Sequence, residues 1–285
     1  MTMWLTHLFN GVSYGALVFL LAMGLSLIFG VMKLINVTHG TFFLVGAYVG
    51  LTVIVRTGNF VVAMLTGAVA IAILGILIER FFLRRLQGND LGQVLMTMGF
   101  VLLLQDAILL VWGPDPRAMP TPAILSGTGR IGSFAFPLYR MFVIVVAATV
   151  ALGLWAFERK TAFGSAVRAA VDDVEMAAGM GVNVPRVFTV VFGLGAFLAG
   201  LGGVLAAPWL GLQYGLDFEI LPYAFVAVIV GGMGSLKGAI LASLAVGIID
   251  NMGRTFFPEF AYFTLFLPMA AILAVRPTGL FGRPI

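Results

Sequence analysis

The sequence predicts an all-α, polytopic integral membrane protein of about eight to nine transmembrane segments with broken helices. Three observations carry that prediction. Hydrophobic residues fill 61% of the 285 positions and charged residues only 10%. The mean hydropathy is +1.10. The apolar residues also fall in runs near the ~20 residues that a bilayer requires. A soluble domain carries about a quarter of its residues as Asp, Glu, Lys or Arg, so too little polar sequence is present to cover a core. Lipid removes that demand. Backbone N–H and C=O groups in hydrocarbon must be satisfied within each segment, which makes the runs helices. The 36 glycines agree, because small residues let membrane helices approach closely.

In chain order, the first run covers 10–32. The residues before it, Met1 to Gly11, lack the positively charged start of a cleaved signal peptide, so the run is expected to be kept as a helix. Further runs cover 38–56, 60–82, 92–112, 140–157, 187–210 and 258–275. Between the last two, Ile220 to Ile249 is apolar but interrupted by Gly231-Gly232-Met233-Gly234-Ser235-Leu236-Lys237-Gly238. That stretch suits one tilted span or two short ones. A single transmembrane domain over 1–285 is expected.

Charge orients the chain. Arg80, Arg84 and Arg85 follow the third span, Arg159, Lys160, Arg168 and Arg186 lie between the fifth and sixth, and Arg276 and Arg283 follow the last. An even number of crossings separates the first two clusters, which places both on the cytoplasmic side by the positive-inside rule. The Gly113–Pro137 loop then faces outward as an irregular segment, although it holds Arg117 and Arg130. The net charge of +4 is topology-setting charge scattered at helix ends, and nucleic acid is not an expected partner. Zero cysteines exclude disulfides, haem attachment and thiolate metal sites. His39 is one of two histidines, and no metal site is expected. No G-x-x-x-x-G-K-[ST] occurs, so the chain cannot cradle nucleotide in the P-loop manner.

The segment 158–186 is the longest on the cytoplasmic side. Ser165 is a candidate helix cap, Ala166 to Met180 is rich in helix formers, and Asn183 and Pro185 are candidate stops. One short helix is expected there, with Arg168, Asp172, Asp173 and Glu175 in water. Ala166, Ala169, Ala170, Ala177 and Met180 would form a small-residue surface suited to a groove on a partner, or to the chain's own subunit.

Unwound backbone at membrane depth is tolerated where it is buried in protein or lines a wet cavity, and transporters place substrate paths at paired broken helices. Asn36, Thr38, His39 and Gly40 in the first half, with Gly231, Gly232, Gly234 and Ser235 in the second, fit that pattern. Ordinary cytoplasmic turns fit it too. Gln105 and Asp106 fall inside the fourth span, where an ionisable group is by default a functional candidate. Glu79 is expected to pair with Arg80 at a helix end, and Asp250 and Asn251 to sit near the outer rim.

The 158–186 segment also resembles a known motif, G-R-A-x-R-A-x-A-x-D-x-x-x-A-x-x-x-G-[IV]-x-x-x-R-V. It matches at Gly164, Ala166, Arg168, Ala169, Asp173, Ala177, Gly181, Val182, Arg186 and Val187, and departs at Ser165 and Val171. Ile35-Asn36-Val37-Thr38-His39-Gly40 is similar to I-N-F-A-H-G, and Gly231-Gly232-Met233-Gly234-Ser235 with Gly238-Ala239 to G-G-x-G-S-x-x-G-A. Arg276-Pro277-Thr278-Gly279-Leu280-Phe281-Gly282 matches the usual ending. On these motifs the chain resembles permease subunits of ATP-binding-cassette importers in the hydrophobic amino acid uptake family, of the branched-chain amino acid (LivH) type. The resemblance implies a non-enzymatic transport subunit in a bacterial inner membrane. It implies a second homologous permease in a heterodimer, two ATPase subunits that bind the ATP and Mg, and an extracytoplasmic substrate-binding protein. The coupling element would comprise Gly164, Arg168, Asp172, Asp173, Glu175, Ala177, Gly181, Val182, Pro185 and Arg186. Substrates across the family include branched-chain and other hydrophobic amino acids, amides, urea and aromatic acids.

Two rivals remain at this level. An ion-coupled secondary transporter would need a buried carboxylate, for which Asp106 is the candidate. An intramembrane hydrolase would use Ser26 of Gly24-Leu25-Ser26 with His39.

Overall fold

The computed structural model describes residues 2–132 and 134–282. Met1, Ser133 and residues 283–285, Arg283 of the last basic cluster among them, lie outside the described residues. The chain forms α1 (Thr2–Met32), α2 (Thr38–Thr57), α3 (Phe60–Phe81), α4 (Asp90–Trp112) and α5 (Leu138–Lys160). The short α6 (Ala162–Asp172) and α7 (Val174–Gly179) follow, then α8 (Val184–Leu210), α9 (Leu216–Gly231), α10 (Leu236–Phe256) and α11 (Ala261–Val275). Among the described residues 7 helices, α1 to α5, α8 and α10, are long and apolar enough to cross a membrane. With 16 and 15 residues, α9 and α11 fall short of the ~20 that a full crossing needs.

Span positions follow the apolar runs within a few residues, with one exception. Helix α1 begins at Thr2 rather than near residue 10, because Trp4, Leu5 and Leu8 keep its first turns apolar around Thr6, His7 and Asn10. The stretch after Ile220 resolves into two helices joined by a tight turn. The Gly113–Pro137 loop is not wholly irregular. Strands β1 (Thr128–Ile131) and β2 (Phe134–Pro137) pair antiparallel with Arg130 opposite Ala135. Phe134 and Phe136 set this hairpin against Phe9 of α1.

Helices α1 and α8 form the centre, each with 83% of an 18-residue apolar stretch buried, whereas the corresponding stretch of α5 has 17%. Small residues allow the close crossings. A methyl on Gly15 would stand 2.7 Å from the Ser243 carbonyl of α10, and one on Gly46 of α2 would stand 2.5 Å from the Gly200 Cα of α8. No driving force separates apolar side chains from lipid, so such close backbone contacts are what hold membrane helices together. Leu65, Leu102, Leu110 and Leu152 of α3, α4 and α5 point outward, a surface for lipid or another subunit.

The predicted side-sharing of the basic clusters is visible in one contact. Arg84 follows α3 and donates to the Pro185 carbonyl at the head of α8 at 3.0 Å. The same guanidinium, rather than that of Arg80, pairs with the fully buried Glu79 at 2.9 Å. Thr189 of α8 also donates to Glu79 at 2.9 Å. This basic end of the bundle carries α6 and α7.

Candidate functional site

The first break is a chain reversal inside the bundle. Helix α1 ends at Met32, Lys33 takes a φ of 54°, and the chain runs back with Leu34 and Asn36 buried. Helix α2 then starts beside the middle of α1, where His39 Nε2 donates to the Leu21 carbonyl at 3.0 Å. Leu21 lies roughly 16 Å from the end of α1 at 1.5 Å per residue, so α2 opens at membrane depth. Thr38 donates to the Thr97 carbonyl of α4 at 2.8 Å. Asn36 has neither of its side-chain polar atoms hydrogen-bonded among the described residues.

A carboxylate that sequence reasoning passed over completes this junction. Asp217, in the first turn of α9, is 2% exposed. It accepts from Thr41 Oγ1 at 2.7 Å and from Gln105 Nε2 at 2.9 and 3.1 Å. Tyr214 donates to Gln105 Oε1 at 3.3 Å. Gly40 belongs to the same joint, since a methyl there would stand 2.8 Å from the Asp217 carbonyl. Two helix starts, those of α2 and α9, converge on the carboxylate, and their partial positive charge favours an anion. An ionisable group at this depth is held only by such partners.

Of the two neighbours in α4, Gln105 is buried in this junction and Asp106 is not. One residue further round α4, Asp106 lies on the exposed face. The signal for Asp217 was the acidic pair Asp217 and Glu219 just before an apolar stretch, a helix-start pattern.

The second glycine-rich break lies elsewhere. Gly232 and Gly234, at φ of 94° and 78°, turn α9 into α10, and Ser235 Oγ caps α10 by accepting from Gly238 N at 3.1 Å. Gly234 N donates to Ser26 Oγ at 3.1 Å, and a methyl on Gly30 would stand 2.7 Å from the Gly234 Cα. Gly30 is near the end of α1, so the turn sits toward the basic end. The length of α9 separates it from Asp217 by roughly 20 Å. The chain's closing segment braces it, with Leu280 N donating to the Val230 carbonyl at 2.8 Å. The two breaks are thus not one site. Ser26, expected in the hydrolase alternative to face His39, is instead buried and bonded to the turn, and His39 is bonded to α1.

The 158–186 segment holds two helices instead of one. Thr161, not Ser165, caps α6 by accepting from Gly164 N at 2.9 Å. Asp173 breaks the run because its carboxylate caps α7, accepting from Met176 N at 2.9 Å. Gly181, at φ of 85°, ends the pair. Asn183 and Pro185 stop nothing and begin α8, with Asn183 Oδ1 accepting from Arg186 N at 3.0 Å. Val167 and Ala170 of α6 pack in one cluster with Val31 of α1 and with Val187, Phe188 and Val191 of α8. Ala170 and Ala177 are buried, so they face the chain's own subunit. Arg168 is half-buried, while Asp172, Asp173, Glu175 and Ala169 are exposed. Met176 and Met180 are the large apolar residues that α7 leaves uncovered, at 65% and 80% exposure. Val182 is half-buried beside them.

At the opposite end, Asp250 of α10 is 4% exposed and pairs with Arg254 at 2.9 Å. Tyr223 of α9 donates to Asp250 at 3.0 Å. Among the described residues no three His, Cys, Asp or Glu converge as metal ligands.

Comparison with known proteins adds the following. Residues 7–275 match the family described as the permease component of branched-chain amino acid transport systems. The chain is 30% identical to the high-affinity branched-chain amino acid transport system permease protein BraD of Pseudomonas aeruginosa, over 99% of this chain and 96% of that one. It is 30% identical to the high-affinity branched-chain amino acid transport system permease protein LivH of Escherichia coli K12, over 98% of this chain and 96% of that one. To LivM of the same organism, likewise such a permease protein, it is 27% identical over 92% of this chain and 67% of that one.

Proposed function

The chain belongs to the family of branched-chain amino acid transport system permease components, and from that premise we propose that it forms half of the translocation path of an ATP-driven importer. Its cargo is a branched-chain or other hydrophobic amino acid, delivered by an extracytoplasmic binding protein. The second half is a homologous permease, for which the likeness to both LivH and LivM argues, since the two are permease proteins of one organism. ATP and Mg are bound by two ATPase subunits, and the membrane is the bacterial inner membrane with the basic end toward the cytoplasm.

One observation carries this reading. Helix α6 packs against the end of α1 and the start of α8, and its Val171 lies beside Gly234 of the α9–α10 turn. In this reading the exposed Met176 and Met180 seat the α6–α7 pair in an ATPase groove. Closure of the ATPases shifts α6, and α9 passes the shift to Asp217 at its far end. There the junction of Asn36, Thr38, His39, Gly40 and Gln105 with Thr41 and Asp217 separates the inward-open from the outward-open state.

Asp217 itself favours a second reading, because a buried intramembrane carboxylate is what ion coupling requires. Uptake of labelled leucine by cells separates the two. Loss of uptake on deleting the ATPase, with uptake retained while ATP is maintained and the ion gradient is dissipated, supports the importer. The reverse pattern supports ion coupling.

A further inference from the structure

Away from the junction and from α6–α7, the end opposite the basic clusters contains a cavity of about 240 Å³. It lies between α1, the last turn of α8, the first turns of α9 and the last turns of α10. It is smaller than the roughly 300–1,000 Å³ clefts that hold drug-sized ligands, and so suits one small solute.

Its lining has three kinds of surface. Leu210, Leu216 and Ile220 are apolar. Tyr14 is aromatic and stands edge-on to Trp209 and Tyr223, with ring centroids 6.1 and 5.6 Å away. The third kind is charged or polar and comes in two signs. Asp250 is held by Tyr223 and by Arg254 Nε at 2.9 and 3.0 Å, so its charge is matched. The Arg254 side chain nevertheless stays 56% exposed, leaving guanidinium surface for an anion. Glu219 is exposed and brings a further carboxylate. Asn251 Oδ1 is buried and has no hydrogen-bond donor among the described residues.

The geometry points to this cavity as a receiving site for a free zwitterionic amino acid with an apolar side chain. Arg254 takes the carboxylate, Glu219 takes the ammonium, and Leu210, Ile220 and Trp209 wall the side chain. Asp250 and Tyr223 act as positioning residues that hold Arg254. The assignment rests on the transport function proposed above and adds to it a place where solute first meets this chain. It also accounts for a pair of opposite charges kept together at the edge of an apolar bundle, where a lone charge would be costly.

The test uses the two permeases with the ATPase subunits in lipid nanodiscs, without the binding protein because that protein itself takes leucine, with tryptophan fluorescence as the readout and three probes. These are L-leucine, leucinamide, which lacks the carboxylate, and 4-methylpentanoate, which lacks the ammonium. Leucine is expected to give a saturable change that Trp209→Phe removes and that Glu219→Gln shifts to about tenfold higher concentration. Neither analogue should reproduce it at the same concentration. No saturable change, a change that survives Trp209→Phe, one unmoved by Glu219→Gln, or an equal response to either analogue overturns the site. The same complex, with the binding protein added, is then assayed for ATP-dependent leucine uptake in vesicles. Uptake without the fluorescence signal overturns the cavity assignment alone. The signal without uptake overturns the transport reading and leaves the cavity assignment standing.

Discussion

Asp217 and Thr41 stand 176 positions apart in the chain and 2.7 Å apart in the fold, joined by a hydrogen bond between two helix starts. The bond ties α2 to α9, and both of its groups are buried. Gln105 of α4 closes the same carboxylate from a third helix.

Asp217→Ala leaves two buried donors without an acceptor. We expect a loss of about 1–3 kcal/mol of stability. Thermal unfolding of the purified complex checks it, in a double-mutant cycle with Thr41→Val. The coupling energy should lie near the 0.6–1.7 kcal/mol typical of bonds between membrane helices, roughly. Strict additivity of the two substitutions would contradict the bond.

Glu79 is fully buried and relies on Arg84, whose side chain is 30% exposed. Arg84→Ala strands that carboxylate, and breaking a buried pair from one side costs about 3–5 kcal/mol. The double change Glu79→Leu with Arg84→Met removes both charges and should be far milder. The yield of folded protein in detergent reports the difference, and equal losses for both variants would remove the pair from the account.

Gly203 of α8 lies so close to the Phe43 carbonyl of α2 that a methyl there has no room. Gly99 of α4 has nothing within 4 Å of such a methyl. Gly203→Ala should lower the melting temperature of the complex markedly, whereas Gly99→Ala should leave it unchanged. A similar melting temperature for both would mean that α2 and α8 do not cross as closely as described.

Met176→Asp with Met180→Asp puts charge on the exposed apolar face of α7 without touching the subunit's own core. Folding should persist while co-purification of the ATPase and leucine uptake fall together. Retained ATPase binding in the doubly charged variant would move the docking surface elsewhere.

Helix positions were legible in the sequence because most of the long helices coincide with one apolar run, and lipid asks for little else. α4 and α5 begin within two residues of the runs that predicted them. Caps were harder. Ser165 and Thr161 are both capping residue types, and only the backbone at the corner after α5 selects Thr161. The candidate site was legible where partners are local and hidden where they are distant. Gln105 and Asp106 are neighbours in sequence, yet a helix turns each residue about 100° from the last, so one faces Asp217 and the other faces outward. Asp217 looks like a loop residue until α2 and α4, from 176 and 112 positions away, close around it. The glycine-rich turn misled for a related reason. A run of glycines marks a break but carries no depth, and only the contacts of Gly234 with Ser26 and Gly30 locate it near the basic end.

The most direct measurement of the central claim is leucine accumulation in proteoliposomes containing this chain, its partner permease and the ATPases, with the binding protein outside and ATP inside. Accumulation is predicted only when the ATPase subunits are present and hydrolysing. Accumulation by the permeases alone, driven by an imposed ion gradient, would contradict it.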